Sequence, residues 1–430
     1  MDKKGVKQVG RGGAFIYYKS KLKKERGGFI MKRFALLVLC LLVLGGTIIP
    51  VFASEEGKLL IWADDTRSGI MRELAKEFTT KYQVPVEVQE LNFGDIRDQL
   101  SVAGPAGKGP DILIGPHDWL GQLIVNGLIE PLDLGKKAKD FTPVALSAFT
   151  WGDELYGVPY AIESIGLVYN KKLVPKAPKT WDELVATGRK ISNKAEQRWG
   201  FIVPHPDPYH EFPIMSAGGA YVFGNNPDGT LNANDIGLNN KGGVHGMQLL
   251  KDLIDDGIMP LGVDSNAATT LFKEGKVGML IGGPWVLEDV KKAGINYGIA
   301  KIPLIDGGRP RPFVGVQGFM VSSFSKNKML AKAFLDEYVV TKETMLALFE
   351  KGARPPVYNP ALKAVKDADA KAYYEIASEG IPMPSIPEMN SVWSAWSNAI
   401  ELIFNGKLTP QQALDEAVAQ IRIAIDQSRK

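Results

Sequence analysis

The feature that most constrains this chain is its alternation of short apolar runs with longer stretches of helical period, a pattern that folds as α/β layers. Lys58-Leu59-Leu60-Ile61-Trp62 reads as a buried strand. Ile70, Leu74, Phe78 and Tyr82 recur every four residues and predict an amphipathic helix. Val84, Val86 and Val88 alternate as a strand does, and Asp111-Ile112-Leu113-Ile114 is another short apolar run. A helical stretch over 119–126 stops at Gly127, the residue type that best adopts a left-handed cap. Strands are expected over 165–169 and 277–281, and a helix over 244–256 that ends at Gly257. Thr180-Trp181-Asp182-Glu183 has the form of a capping box, and Thr409-Pro410-Gln411-Gln412 opens a final helix.

A chain of 430 residues exceeds what one core usually holds, about 250–300 residues, so two lobes are expected. Tandem domains tend to show a Pro/Gly/Ser-rich joint, and none is present. There is no internal repeat and no low-complexity tract either. Two lobes that exchange several chain segments would leave no joint.

The net charge of +3 hides an uneven distribution. Residues 1–53 carry 11 of the 51 Lys/Arg and 2 of the 48 Asp/Glu, which leaves 40 basic and 46 acidic side chains, net −6, beyond them. That acidic body gives no electrostatic support to nucleic-acid binding. Met31-Lys32-Arg33, an apolar run over 34–44, Gly45-Gly46 and Val51-Phe52-Ala53 have the layout of a secretory signal cleaved after Ala53. The run is too short for a membrane span, which needs about 20 apolar residues. Residues 1–30 are basic and unpatterned, and translation is expected to start at Met31. Cys40, the single cysteine, lies inside the apolar run behind Leu39, so lipidation is not expected. The mature chain then has no disulfide, thiolate metal site or cysteine nucleophile. A periplasmic location is expected, with the cell surface or the medium as the alternative.

From Glu55 onward the sequence resembles the maltose/maltodextrin-binding proteins of bacterial ABC sugar importers. The resemblance rests on Gly109-Pro110-Asp111-Ile112, His117-Asp118, Val158-Pro159-Tyr160-Ala161 with Glu163, and Tyr169-Asn170-Lys171. It continues through Pro178-Lys179-Thr180-Trp181, Gly282-Gly283-Pro284-Trp285, Pro312-Phe313-Val314-Gly315-Val316, and Met383-Pro384-Ser385-Ile386-Pro387 with Trp393. Each piece is weak alone; their shared order is specific. The resemblance implies a periplasmic-binding-protein fold: two α/β lobes, a ligand cleft and a three-segment hinge. The crossings are placed near 161, 313–318 and 356. One lobe is then 54–161 plus 318–356, the other 162–317 plus 357–430.

Sugars present hydroxyls that need charged or amide partners and C–H faces that need flat apolar walls, so a sugar site combines carboxylates with aromatic rings. Asp118 and Glu163 follow apolar strand-like runs, where loops of an α/β sheet point into a cleft. The resemblance implies that both accept sugar hydroxyls and that Trp285 and Trp393 stack on sugar rings. Trp393 falls beside the stripe Val392, Trp396, Ala399, Ile400 and Ile403, which is expected in the core. Tyr209 is expected as a further platform, with Asp207 beside it. An acidic-basic pair matches within 64–67 and is assigned to Asp65 and Arg67. The chain departs from the family pattern at Gly115, where the type member has a tryptophan, and at Ser397, where it has an arginine. Trp119 is left with two readings: a relocated platform, or a residue packed on its own helix.

The expected function is capture of maltose or malto-oligosaccharides and delivery to the membrane permease, by a monomer with no cofactor and no metal. The four histidines, 117, 205, 210 and 245, show no metal spacing, and no hydrolase, zinc-helix or phosphate-loop motif is present. The alternatives are a binder of the same fold for another disaccharide or a polyamine, or an exported glycoside hydrolase using Asp118 and Glu163.

Overall fold

The computed structural model describes residues 55–429. The expected leader and the segment before it lie outside the described residues. Strands and helices alternate throughout, and two principal sheets result. In the first, Leu59–Ala63 lies parallel to Val86–Glu90 on one side and to Ile112–Pro116 on the other. The Phe313–Ser322 strand runs antiparallel to Ile112–Pro116 and to Val158–Glu163. The second sheet orders Tyr297–Ala300, Gly166–Asn170, Val277–Gly282 and Trp199–Ile202.

The first sheet carries one principal core, and the second carries one principal core and a smaller one around Val168, Phe272, Leu280 and Tyr373. Trp62, Phe78, Ile114, Phe149, Phe319 and Phe334 are buried on the first sheet, with residues drawn from 59–162 and again from 314 onward. Phe201, Phe212, Phe313, Trp396 and Ile400 are buried on the second, drawn from 165–313 and 383–425. Each fully buried side chain of this size contributes roughly 1.5–3 kcal/mol. Val357, Tyr358 and Ala361, beyond the expected crossing near 356, still pack in the first core. Phe313 sits in the second core while its neighbour Val314 sits in the first, so one strand serves both.

Local signals mostly hold. The expected stripe Val392, Trp396, Ala399, Ile400 and Ile403 is buried. Thr409 and Gln412 form a reciprocal capping box. Gly127 and Gly257 have φ of +62° and +69°, as left-handed caps. At Thr180 the box is altered: its hydroxyl accepts from Glu183 N–H, but the Glu183 carboxylate takes the N–H of Lys179. The Asp65–Tyr82 helix buries Met71, Leu74, Ala75 and Phe78, whereas Ile70 and Tyr82 lie at the rim. A strict spacing of four drifts about 40° per step around a 3.6-residue helix, so such a stripe leaves the seam at its ends.

Candidate functional site

Three parallel strands of the first sheet end at the same edge, where open α/β sheets bind ligands. Ala63 leads into Asp64 and Arg67, Glu90 into Phe93, and Pro116 into His117, Asp118 and Trp119. Arg67 is buried; its Nε donates to the Tyr160 hydroxyl at 2.8 Å and its guanidinium pairs with Asp64. Asp65, expected as the acidic partner, is exposed, and its carboxylate accepts the Thr66 N–H. Asp64 takes its place because it directly follows the strand and still faces the sheet edge, one residue before the helix begins.

Glu163, at the end of Val158–Glu163, is held from several sides. Arg354 Nε donates to one carboxylate oxygen at 2.6 Å, the Gln317 amide donates to the other, and Arg67 lies 3.8 Å away. Arg354 also donates to the Thr66 hydroxyl at 3.0 Å. Asp64, Gln317 and Arg354 were not singled out in the sequence. Arg354 stands before Pro355-Pro356, which force extended backbone there, so a lone arginine at an expected crossing was the available signal. Gln317 interrupts a mostly apolar strand and is buried.

Asp118 is buried, and burial pushes its carboxyl up to about 7, with Glu163 adding to the rise; Arg97 and the Trp393 side chain pull it back. Its Oδ1 has no hydrogen-bond partner. Neighbouring His117 is driven the other way by burial, down to about 4. The N–H of Val316 donates to His117 Nδ1, so Nε2 carries the proton toward the Met383 carbonyl at 3.1 Å. His117 thus ties the first sheet to the segment leading to Trp393.

The aromatic wall comes from the second core. The Tyr209 and Trp285 rings lie 6.3 Å apart, Tyr209 stacks on Phe313 at 6.0 Å, and Trp393 meets Phe313 edge-on at 6.1 Å. Trp285 also faces the Arg354 guanidinium at 5.5 Å, so the wall touches the polar floor. Asp207 is occupied: one oxygen caps the Pro208–Ser216 helix through Tyr209 N–H, the other holds His210 Nδ1 at 2.6 Å. The Ser397 hydroxyl is turned to the Pro206 carbonyl. Tyr209 OH, His210 Nε2, Gln317 Oε1 and Asp118 Oδ1 are buried without partners, which leaves donors and acceptors unspent around the wall and floor.

Trp119 is buried, and its ring fills the space above Gly115, where an added Cβ would lie 2.2 Å from it. A side chain at 115 and this position of Trp119 exclude each other. Among the described residues no group of three or more His, Cys, Asp or Glu is arranged to hold a metal ion.

The model of the bacterial extracellular solute-binding protein family matches residues 73–377. The galactooligosaccharide-binding protein of Bacillus subtilis (strain 168) is 33% identical over 378 residues, covering 85% of this chain and 89% of that protein. The maltodextrin-binding protein of the same strain is 30% identical, covering 86% and 91%. The solved structure of the Thermus thermophilus maltotriose binding protein bound with maltotriose superposes with a TM-score of 0.80 at 35% identity, covering 86% of this chain and all of that one. With its alternating layers, its two principal cores and a polar floor facing an aromatic wall, the chain belongs to the bacterial extracellular solute-binding proteins.

Proposed function

We propose that this protein captures malto-oligosaccharides outside the cytoplasm and hands them to an ABC permease, without catalysing a reaction. The observation that carries the reading is the juxtaposition of Trp285, Trp393 and Tyr209 with Asp118 and Glu163, through the Trp393–Asp118 and Trp285–Arg354–Glu163 contacts. Rings bury sugar C–H faces, and carboxylates accept sugar hydroxyls through charge-assisted bonds worth roughly 1.5–3 kcal/mol each. The similarity to proteins named for maltodextrin and maltotriose supports the ligand class. Arg67 and Arg354 hold Glu163 in place for this task.

In this reading the expected lobes, 54–161 with 318–356 and 162–317 with 357–430, are adjusted to the two cores, so that 314–317 and 357–361 go with the first lobe. The lobes close over the ligand by rotation about the crossing segments, shifting an equilibrium that exists without ligand. The protein acts as a monomer in the periplasm after loss of its leader. The similarity to proteins named for binding supports capture over hydrolysis.

Calorimetry against maltose, maltotriose, longer maltodextrins, a galacto-oligosaccharide, trehalose and spermidine tests the reading. Binding confined to the α-glucans supports it. Binding to the galacto-oligosaccharide or spermidine with none to maltodextrins overturns it, and release of glucose from maltotriose would replace it with an enzyme.

A further inference from the structure

The first sheet offers an aromatic ring at the ligand edge that no sequence motif announced. Phe93 opens the Phe93–Ala103 helix directly after the Val86–Glu90 strand and remains 41% exposed. Single exposed apolar residues are ordinary on protein surfaces. This one is distinguished by what lies around it. Its ring centroid is 5.0 Å from that of Trp119, and the Arg67 guanidinium sits 5.6 Å from its centre. Trp119 in turn occupies the space that Gly115 leaves open. Gly115 makes the hole, Trp119 fills it, and Phe93 covers the filler with a ring still open to solvent. Arg67 is fixed by Asp64 and Tyr160 and faces Glu163, so the ring lies against the polar floor, not on a remote surface.

The other rings of the site, Tyr209, Trp285 and Trp393, pack on the second core. Phe93 is separated from Trp285 by the chain of contacts through Arg67, Glu163 and Arg354. We infer that Phe93, backed by Trp119, is the stacking wall for a terminal sugar ring, so that the cleft selects trisaccharides and longer chains over disaccharides. On this inference a disaccharide is held at Trp285 and Trp393, and a third unit, beyond Trp393 past Asp118 and Trp119, is the one that meets Phe93. The inference rests on the malto-oligosaccharide reading.

The test is calorimetry of the Phe93→Leu and Phe93→Tyr proteins with maltose, maltotriose and maltotetraose, alongside thermal unfolding. Leu keeps most of the apolar volume over Trp119 and removes the flat ring. The expected result is a loss of up to about tenfold for maltotriose and maltotetraose in Phe93→Leu, with maltose changed less than about twofold and Phe93→Tyr close to wild type. Unchanged maltotriose affinity in Phe93→Leu overturns the inference, as does an equal loss for maltose and maltotriose, which marks a structural effect through Trp119. If the unmodified protein binds none of these sugars, the functional reading falls and this inference with it; if it binds them and Phe93→Leu behaves as wild type, this inference alone falls.

Discussion

His117 and Asp118 are adjacent, and burial moves them in opposite directions toward the same end, since it penalises whichever form is charged. On the proposed reading, in which Asp118 accepts sugar hydroxyls, this sets a pH dependence on ligand capture. Its carboxyl lies at about 7 without ligand, and hydroxyls donated to Oδ1 favour the ionised form, so binding lowers that value and releases a proton. Affinity is therefore expected to rise as pH climbs through 6 toward 8 and to level off above that; below the bound-state value both forms are protonated and the curve is flat again. Calorimetry across this range checks it, and Asp118→Asn is expected to abolish the slope while weakening binding. The sequence drew attention to Asp118, Glu163, Trp285 and Trp393 because each sits in one of the ordered motifs that carry the resemblance, and Tyr209 was expected beside them. They form one continuous patch through Trp393 to Asp118, Phe313, Arg354 and Glu163. Arg354 and Phe93 were not legible, because their place depends on which distant segments the fold brings beside them.

At the scale of elements, the alternation of strands and helices is written in periodicity, which is local, whereas the sharing of Phe313–Ser322 between two cores is not. That strand is apolar over most of its length, and nothing in its own pattern says that its first residue belongs to a different core from its second. The short Leu120–Val125 helix shows how closely elements of the two cores meet. Gly121 N–H donates to the Ser385 carbonyl at 3.0 Å, and an added Cβ would stand 2.4 Å from the backbone of Ser385 and Pro387. Backbone cannot swing aside as a side-chain tip does. Gly121→Ala is expected to cost about 1–3 kcal/mol of stability, measured by urea unfolding, by forcing the helix away from the segment 383–391. Gly127→Ala, at a left-handed cap with open space around it, is the contrasting case: it strains the backbone without pushing elements apart.

For the whole molecule, the contacts that run from the first core to the second include His117 to Met383, Gly121 to Ser385, Asp118 to Trp393, and Arg354 to Trp285. If closure accompanies ligand capture, small-angle scattering with saturating maltotriose is expected to show a smaller radius of gyration than the ligand-free protein; an identical curve would count against rotation of the lobes. The tryptophans give the same cleft an optical signature. Of the eight, Trp62, Trp119, Trp181 and Trp396 are buried, while Trp151 and Trp199 lie half-buried on a small hairpin and an edge strand. Trp285 and Trp393 are partly exposed beside polar groups of the candidate site, the Arg354 guanidinium and the Asp118 carboxyl. Indole emission shifts with the polarity around the ring, so light from these two would change colour as the cleft fills, and the molecule carries its own reporter of occupancy.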